Sequence, residues 1–388
     1  MSVGIDEISF YTSNYYLDLR TLANVQQIES EKYYQGIGQE KMSMAAPDED
    51  VVTMAANAAY PLIERVGTDS ISTLLFATET GVDQSKAAGV YVHRLLGLNS
   101  NCRVVELKQA CYSATAAIQM ACALVARQPE KKVLVVASDI ARYDLDTSGE
   151  ATQGCGAVAI LISANPRLIE IDPEVGNHTE DVMDFWRPNY RTTALVDGKY
   201  STKIYLKSLK KAWENFVEVS SLAFSDFSHF CYHLPFSRMA EKAHKHLAKV
   251  NKVGLSLEQI EEQVEETLYY NRIIGNSYTA SMYIGLTSLL ENCKENLAGN
   301  KVGFFSYGSG CVAEFFSGTV VAGYEKCLHT LNHKAMLDAR QEVSYDEYLN
   351  LYRHPDPRDG EHHDIPATTT GRFRLAAISG HKREYVSC

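Results

Sequence analysis

Short apolar runs alternate with longer stretches of helical spacing through the first half of the chain. Residues 71–78 (ISTLLFAT), 102–109 (CRVVELKQ), 131–139 (KKVLVVASD) and 156–163 (GAVAILIS) are too short and too continuously apolar for amphipathic helices, and they predict buried strands. Between them, residues 50–66 predict a helix that Pro61 kinks or breaks. Residues 84–97 predict a helix ending on Gly97, and residues 111–128 one that is apolar nearly all round and therefore buried. A similar rhythm follows later: a strand at 229–235, a helix from Ser237, a helix rich in small residues at 276–292, and two strands flanking Gly308-Ser309-Gly310. A late strand with its exit reads out of RFRLAAISGHKREY, and residues 165–230 read as an elaboration between the halves. Strand–helix alternation of this kind predicts an α/β layered fold. No low-complexity linker or short repeat interrupts it.

Composition narrows the class. The 388 residues suffice for one large domain or two coupled ones, and 45% hydrophobic against 22% charged residues excludes wholesale disorder. A formal charge of −11 disfavours nucleic-acid binding, and an anionic ligand would need a local basic patch. The start, MSVGIDEISFY, has neither a basic nor an apolar leader region, and no stretch approaches the roughly 18 apolar residues of a spanning helix. The expectation is a cytoplasmic protein with no membrane partner. Nine cysteines without a C-x-x-C pair argue against a disulfide framework or a zinc ribbon. Most read as small core residues in a reducing compartment.

Cys111 differs by context. It falls where a strand ends and a helix begins, so its thiol is expected to face free backbone N–H groups and the positive end of a helix, which lowers a thiol pKa. Alternatively it is a structural cysteine that happens to start a helix. Glu79 directly follows an apolar strand, where partial desolvation suits a general base; it could equally cap the next helix. His233 stands at a strand end before Pro235, as a reactive group or as a satisfied core histidine. The glycines of YGSG make a turn and leave amides free to face a ligand oxygen. Lys242, Lys245 and Lys249 share a helix face, and Lys203, Lys207, Lys210 and Lys211 form a second cluster; both are solvated faces unless the ligand carries phosphates. His244 with His246, and His362 with His363, give no metal-binding spacing, so no metal is expected.

The motifs ATETGVD, QACYSATAAI, VASDIARY, EDVMDFWRPN, CYHLPF, GNSYTASMY and FSYGSG, in this order and spanning nearly the whole chain, resemble the hydroxymethylglutaryl-CoA synthases, in their compact bacterial form. The resemblance implies a thiolase-like fold with two similar halves in a five-layered αβαβα arrangement, here divided as residues 1–165 with Glu79 and Cys111 and residues 166–388 with His233, Asn276 and the YGSG turn. It implies a homodimer that condenses acetyl-CoA with acetoacetyl-CoA and water to HMG-CoA and free CoA, in the mevalonate route to isoprenoids, with no cofactor beyond the CoA thioesters themselves.

The same resemblance implies roles. Cys111 is the acylated nucleophile, Glu79 the general acid/base, and His233 the acetoacetyl-CoA-binding histidine. Asn276, Ser309, Tyr143, Thr152, Ser201 and Lys242 match substrate-contact positions, and the backbone N–H groups of Cys111 and Ser309 match the oxyanion hole. Glu29-Ser30 departs from the family's Asp-Pro, so no ligand contact is carried over there. Glu79 separates this reading from decarboxylating ketoacyl synthases, which need no strong base, and from degradative thiolases, which use a second cysteine. Two alternatives share the residues: a synthase acting on carrier-protein-bound substrates in polyketide β-branching, and a cysteine-dependent thioester hydrolase.

Overall fold

Nine strands of the computed structural model, which describes residues 1–388, join in a single mixed sheet. They are β1 (Val3–Tyr11), β2 (Ile71–Ala77), β3 (Arg103–Leu107), β4 (Lys132–Ala141), β5 (Gly154–Ala164), β6 (Ile169–Thr179), β7 (His229–Tyr232), β8 (Lys301–Gly308) and β9 (Val312–Val320). Their order across the sheet is β7-β8-β9-β6-β1-β5-β4-β2-β3.

This order contains one topology twice. In the first half β1 runs antiparallel to β5 and β5 to β4, while β4 and β2 are parallel. In the second, β6 runs antiparallel to β9 and β9 to β8, while β8 and β7 are parallel. Only β3 lacks a counterpart. The halves join where Gly4 and Ile5 of β1 pair with Glu170 and Ile169 of β6. A Cβ on Gly4 would lie 2.0 Å from the Ile169 carbonyl oxygen, so this seam requires glycine.

Side-chain alternation along the strands builds the layers. Leu74, Phe76, Leu134, Val136 and Leu161 point outward to α1 (Val51–Val66) and α2 (Ala88–Leu95). Leu75, Val133, Val135 and Ile160 point the other way, onto α3 (Ser113–Arg127). In the second half Phe230, Tyr232, Phe305 and Phe315 pack under α4 (Gly198–Ser220) and α5 (Arg238–Val250). Cys231, Phe304 and Phe316 face inward, in the same core as α3 and α6 (Ser281–Asn292). The result is five layers, αβαβα, with α3 and α6 in the middle. Ala114, Ala117 and Ala121 keep α3 thin enough to sit between the two halves of the sheet.

Four expectations change. Helix α1 runs through Pro61 without a break. A helical proline costs ~3 kcal/mol, but each fully buried aliphatic side chain returns ~1.5–3 kcal/mol, and the α1 face from Val51 to Leu62 buries many. The expected elaboration at 165–230 is instead integral: it supplies β6 and α4. The polar strand IEIDPEVGNHT carries no apolar run because much of it is exposed. The late strand is a hairpin, Phe373–Ser379 with Lys382–Ser387, and it packs Phe373, Leu375 and Tyr385 against the core under α1. The chain's end thus returns to the first half. Helix α2 also starts at Ala88, since Asp83 takes the amides of Ser85 and Lys86 in a turn before it.

Candidate active site

Strand β2 ends at Ala77 and delivers Glu79; α3 begins at Ser113 and is preceded by Cys111. Ala110 holds φ +44°, a conformation that turns the chain sharply just before the cysteine. The Cys111 thiol donates to Glu79 Oε1 at 3.0 Å, so the two residues are an acid–base pair in contact and Glu79 is not a helix cap.

The electrostatics correct the expectation of a low thiol pKa. Burial, and then the facing Glu79 carboxylate, push the Cys111 thiol well above its ordinary value. The same burial, followed by the nearby Asp139 charge, lifts Glu79 to about 7. At rest the proton therefore stays on sulfur, and Glu79 is the group placed to receive it. A helix start favours a thiolate less than a buried carboxylate at contact distance disfavours it. Arg187, from the FWRPN segment, donates to the Glu79 carbonyl oxygen, and its charge works against both upward shifts.

Asp139, fully buried at the end of β4, fixes this loop. One oxygen accepts from the Thr78 hydroxyl (2.8 Å), the Glu79 amide (2.9 Å) and both the amide (3.1 Å) and hydroxyl (2.6 Å) of Thr80. The other accepts the amide and hydroxyl of Thr279, from the segment leading into α6. One carboxylate thus ties the base-bearing loop of the first half to the second half.

His233 follows β7 on the opposite side. Its amide donates to Phe305 O at 2.8 Å, its carbonyl accepts from Tyr205 at 2.9 Å, and its Nδ1 lies 3.0 Å from Ser281 Oγ. Burial pushes its pKa down to about 3, so the ring is neutral at physiological pH. Leu234 N–H donates to Ser281 Oγ; with the Ser281 hydroxyl donating to Nδ1, the ring proton sits on Nε2, which has no protein acceptor and is free to donate to a ligand.

Cys111, His233, Asn276, Ser309, Tyr143, Thr152 and Ser201 all line one cavity of about 210 Å3. Glu79 stands behind Cys111. Lys242 is outside the lining, with its ammonium 5.1 Å from the ring of Phe236, which does line it. Lys245, Lys207, Lys210 and Lys211 are engaged in ion pairs with Glu241, Glu180 and Glu214. Glu29 is exposed. The YGSG turn joins β8 to β9 as expected, and Gly308 packs so closely on the Cys111 turn that a Cβ would be 2.5 Å from Gln109 O. The amides of Cys111 and Ser309 donate to no protein carbonyl, whereas the next amide, Gly310, is taken by Asp184 at 3.0 Å. Asp184 also accepts from Tyr307 (2.6 Å) and Ser201 (3.1 Å).

Asp139, Asp184 and Arg187 are the residues that sequence reasoning missed. Their signal was present: Asp139 closes the apolar run KVLVVAS, and Asp184 and Arg187 bracket Phe-Trp. A charge inside an apolar run announces a buried partner.

Comparison with known proteins decides the family. The model for the hydroxymethylglutaryl-coenzyme A synthase N-terminal domain matches residues 1–167, and that for the C-terminal domain matches 169–251 and 244–370. The chain belongs to the hydroxymethylglutaryl-CoA synthase family. It is 43% identical, across 91% of its length and 92% of the relative's, to the hydroxymethylglutaryl-CoA synthase of Enterococcus faecalis. A crystal structure of an HMG-CoA synthase complexed with CoA superposes with a TM-score of 0.95 at 40% identity, covering all of both chains. The polyketide-biosynthesis 3-hydroxy-3-methylglutaryl-ACP synthase of Bacillus subtilis is 33% identical across 91% of this chain and 88% of its own. As a hydroxymethylglutaryl-CoA synthase family member the protein is a condensing acyltransferase of thiolase-like fold.

For such an enzyme the raised Glu79 pKa has a pH signature. The condensation rate should rise with pH through about 7 as the carboxylate forms, and then level off. Native Glu79 holds its proton more tightly than the unfolded chain does (about 7 against 4.5), so its contribution to stability falls as pH rises through that window. A pH–rate profile, with thermal melts of wild type and Glu79→Gln at pH 5 and 8, checks both; a flat profile across 6–8 contradicts the shift.

Proposed function

We propose that the protein condenses acetyl-CoA with acetoacetyl-CoA and water to give HMG-CoA and CoA through an acetyl-Cys111 intermediate. The observation that carries this reading is the 3.0 Å contact between the Glu79 carboxylate and the thiol of Cys111, which lines a cavity that also presents His233. A hydrolase needs no base that strips a carbon acid; a condensing enzyme does.

The steps balance within these residues. Glu79 takes the thiol proton as sulfur attacks the acetyl-CoA carbonyl, and the Cys111 and Ser309 amides receive the oxyanion. CoA leaves as the thiol, carrying that proton, and the acetyl group stays as a thioester with acidic methyl protons. The Glu79 carboxylate removes one of them. The carbanion adds to the ketone carbon of acetoacetyl-CoA, whose oxygen accepts a hydrogen bond from neutral His233. Glu79 returns the proton to the developing alkoxide. Water then cleaves the Cys111 thioester, freeing the carboxylate of HMG-CoA. Asn276, Tyr143, Thr152 and Ser201 position the acyl chains, and Lys242, whose ammonium lies over Phe236 of the cavity lining, is a further substrate contact. The reaction needs no further cofactor.

The proposal includes a homodimer, a cytoplasmic location and a place in mevalonate synthesis. Strand β3 supports the dimer: it is one of the two edges of the nine-stranded sheet, and Val105 on it is 43% exposed. All nine cysteines are unpaired, which fits a reducing compartment. No helix is long and apolar enough to cross a membrane.

The test is turnover with free acetyl-CoA and acetoacetyl-CoA, with intact-protein and peptide mass spectrometry after acetyl-CoA alone. An acetyl group on Cys111 and HMG-CoA as product support the proposal. Product only from carrier-bound substrates would transfer the activity to the carrier-protein class, and hydrolysis without a condensed product would overturn it. In the same assay His233→Ala should leave Cys111 acetylation intact and raise the KM for acetoacetyl-CoA ~10-fold or more; unchanged acetoacetyl-CoA dependence removes His233 from its role.

A further inference from the structure

A second cavity lies away from the one in front of Cys111. It encloses about 500 Å3 on the other side of the catalytic loop. The two cavities share a wall: Tyr143 and Thr152 line the smaller one, and their chain neighbours Arg142 and Gln153 line the larger. Thr80 and Gly81, directly after Glu79, also line the larger.

Its charged groups are unevenly matched. Arg383 is committed to Asp50 (3.2 Å) and Asp356. Glu49 is buried and already accepts the amides of Ala46 (3.1 Å) and Asn14 and the hydroxyls of Thr369 (2.9 Å) and Tyr11. Arg142, Arg353 and Arg358 have no carboxylate partner, although all three line the cavity. Arg142 stacks on Tyr352 at 4.2 Å and donates one Nη to its carbonyl, and its Nε is buried with no acceptor. A buried N–H of a guanidinium without an acceptor is costly unless a ligand or water completes it. The lining carries four guanidinium groups against three carboxylates, and on a chain of net charge −11 this local excess of positive charge is a reversal of sign.

We propose that this cavity is a binding site for a small polyanion, a molecule carrying two or more phosphate or carboxylate groups. Half-buried Arg142, with its Nε buried, is the anchor, and Arg353 and Arg358 add to it from the exposed 353–358 segment. Guanidinium forks match both oxyanion types in bidentate fashion, and the cavity is large enough for more than one such group.

The test is calorimetric titration of the full-length protein with inorganic pyrophosphate and, separately, with citrate, which distinguishes phosphate from carboxylate ligands. Saturable binding of at least one is expected, weakened ~10-fold or more in Arg353→Gln/Arg358→Gln. The charge-matched Lys294→Gln/Lys326→Gln should bind like wild type. Saturating CoA should not displace the probe, and Cys111 acetylation should be unchanged in both variants, since none of these residues touches the reacting atoms. Absence of saturable binding to both probes overturns the proposal. So does equal binding by the two double variants, or displacement by CoA, which would place the anion in the thioester cavity. Arg142→Gln, folded by circular dichroism, should lose binding further.

Discussion

Glu79→Gln should accumulate acetyl-Cys111 and make almost no HMG-CoA. The amide cannot remove a methyl proton, and loss of a positioned general base costs ~10²–10⁴-fold in rate. The first half-reaction survives more slowly, because thiol attack can lose its proton to water once acetyl-CoA is seated, while carbanion formation has no such substitute. Rapid-quench mass spectrometry of the intact protein, run beside a product assay, reads both steps. Failure to acetylate would contradict the division of labour, since Glu79 would then be indispensable to nucleophile activation; normal product formation would remove it from the mechanism.

Asp139→Ala should be nearly as damaging, by a different route. The carboxylate accepts six hydrogen bonds from Thr78, Glu79, Thr80 and Thr279. Its removal leaves those donors unpaired in a dry site, at ~1–3 kcal/mol for each that water cannot reach, so a net loss of about 3 kcal/mol or more in unfolding free energy is expected. The loop bearing Glu79 then loses its register with Cys111, and displacement of ~1 Å costs about 100-fold in rate. Asp139→Asn separates the two contributions. It keeps an acceptor oxygen but removes the charge that raises Glu79, so its pH–rate profile should move to lower pH. Urea denaturation with that profile tests the pair; an unshifted profile in a folded Asp139→Asn would show that the charge does not reach Glu79.

The layered fold was legible because it rests on local pattern. Runs such as KVLVVAS and GAVAILIS announce strands covered on both faces, and β2, β4 and β5 lie where those runs predict. Strand β6 was illegible for the same reason: half-exposed and polar, it becomes a strand only by pairing with β9 and β1. Pro61 obeyed tertiary packing over local propensity. At the site, the family motifs named Cys111, Glu79 and His233, and one cavity wall gathers Cys111 and His233, with Glu79 in contact behind. The sign of the thiol shift escaped, because a helix start is visible in sequence and a carboxylate arriving from 32 positions earlier is not. Asp139 escaped likewise: its partner Thr279 is 140 residues away.

The proton that rests on Cys111 has a consequence beyond turnover. Peroxide and alkylating reagents attack thiolates, and here the thiolate is withheld while the cavity holds no acyl donor. The nucleophile is latent between encounters, so oxidative damage to a resting population should fall first on exposed Cys388 and leave the active centre reduced.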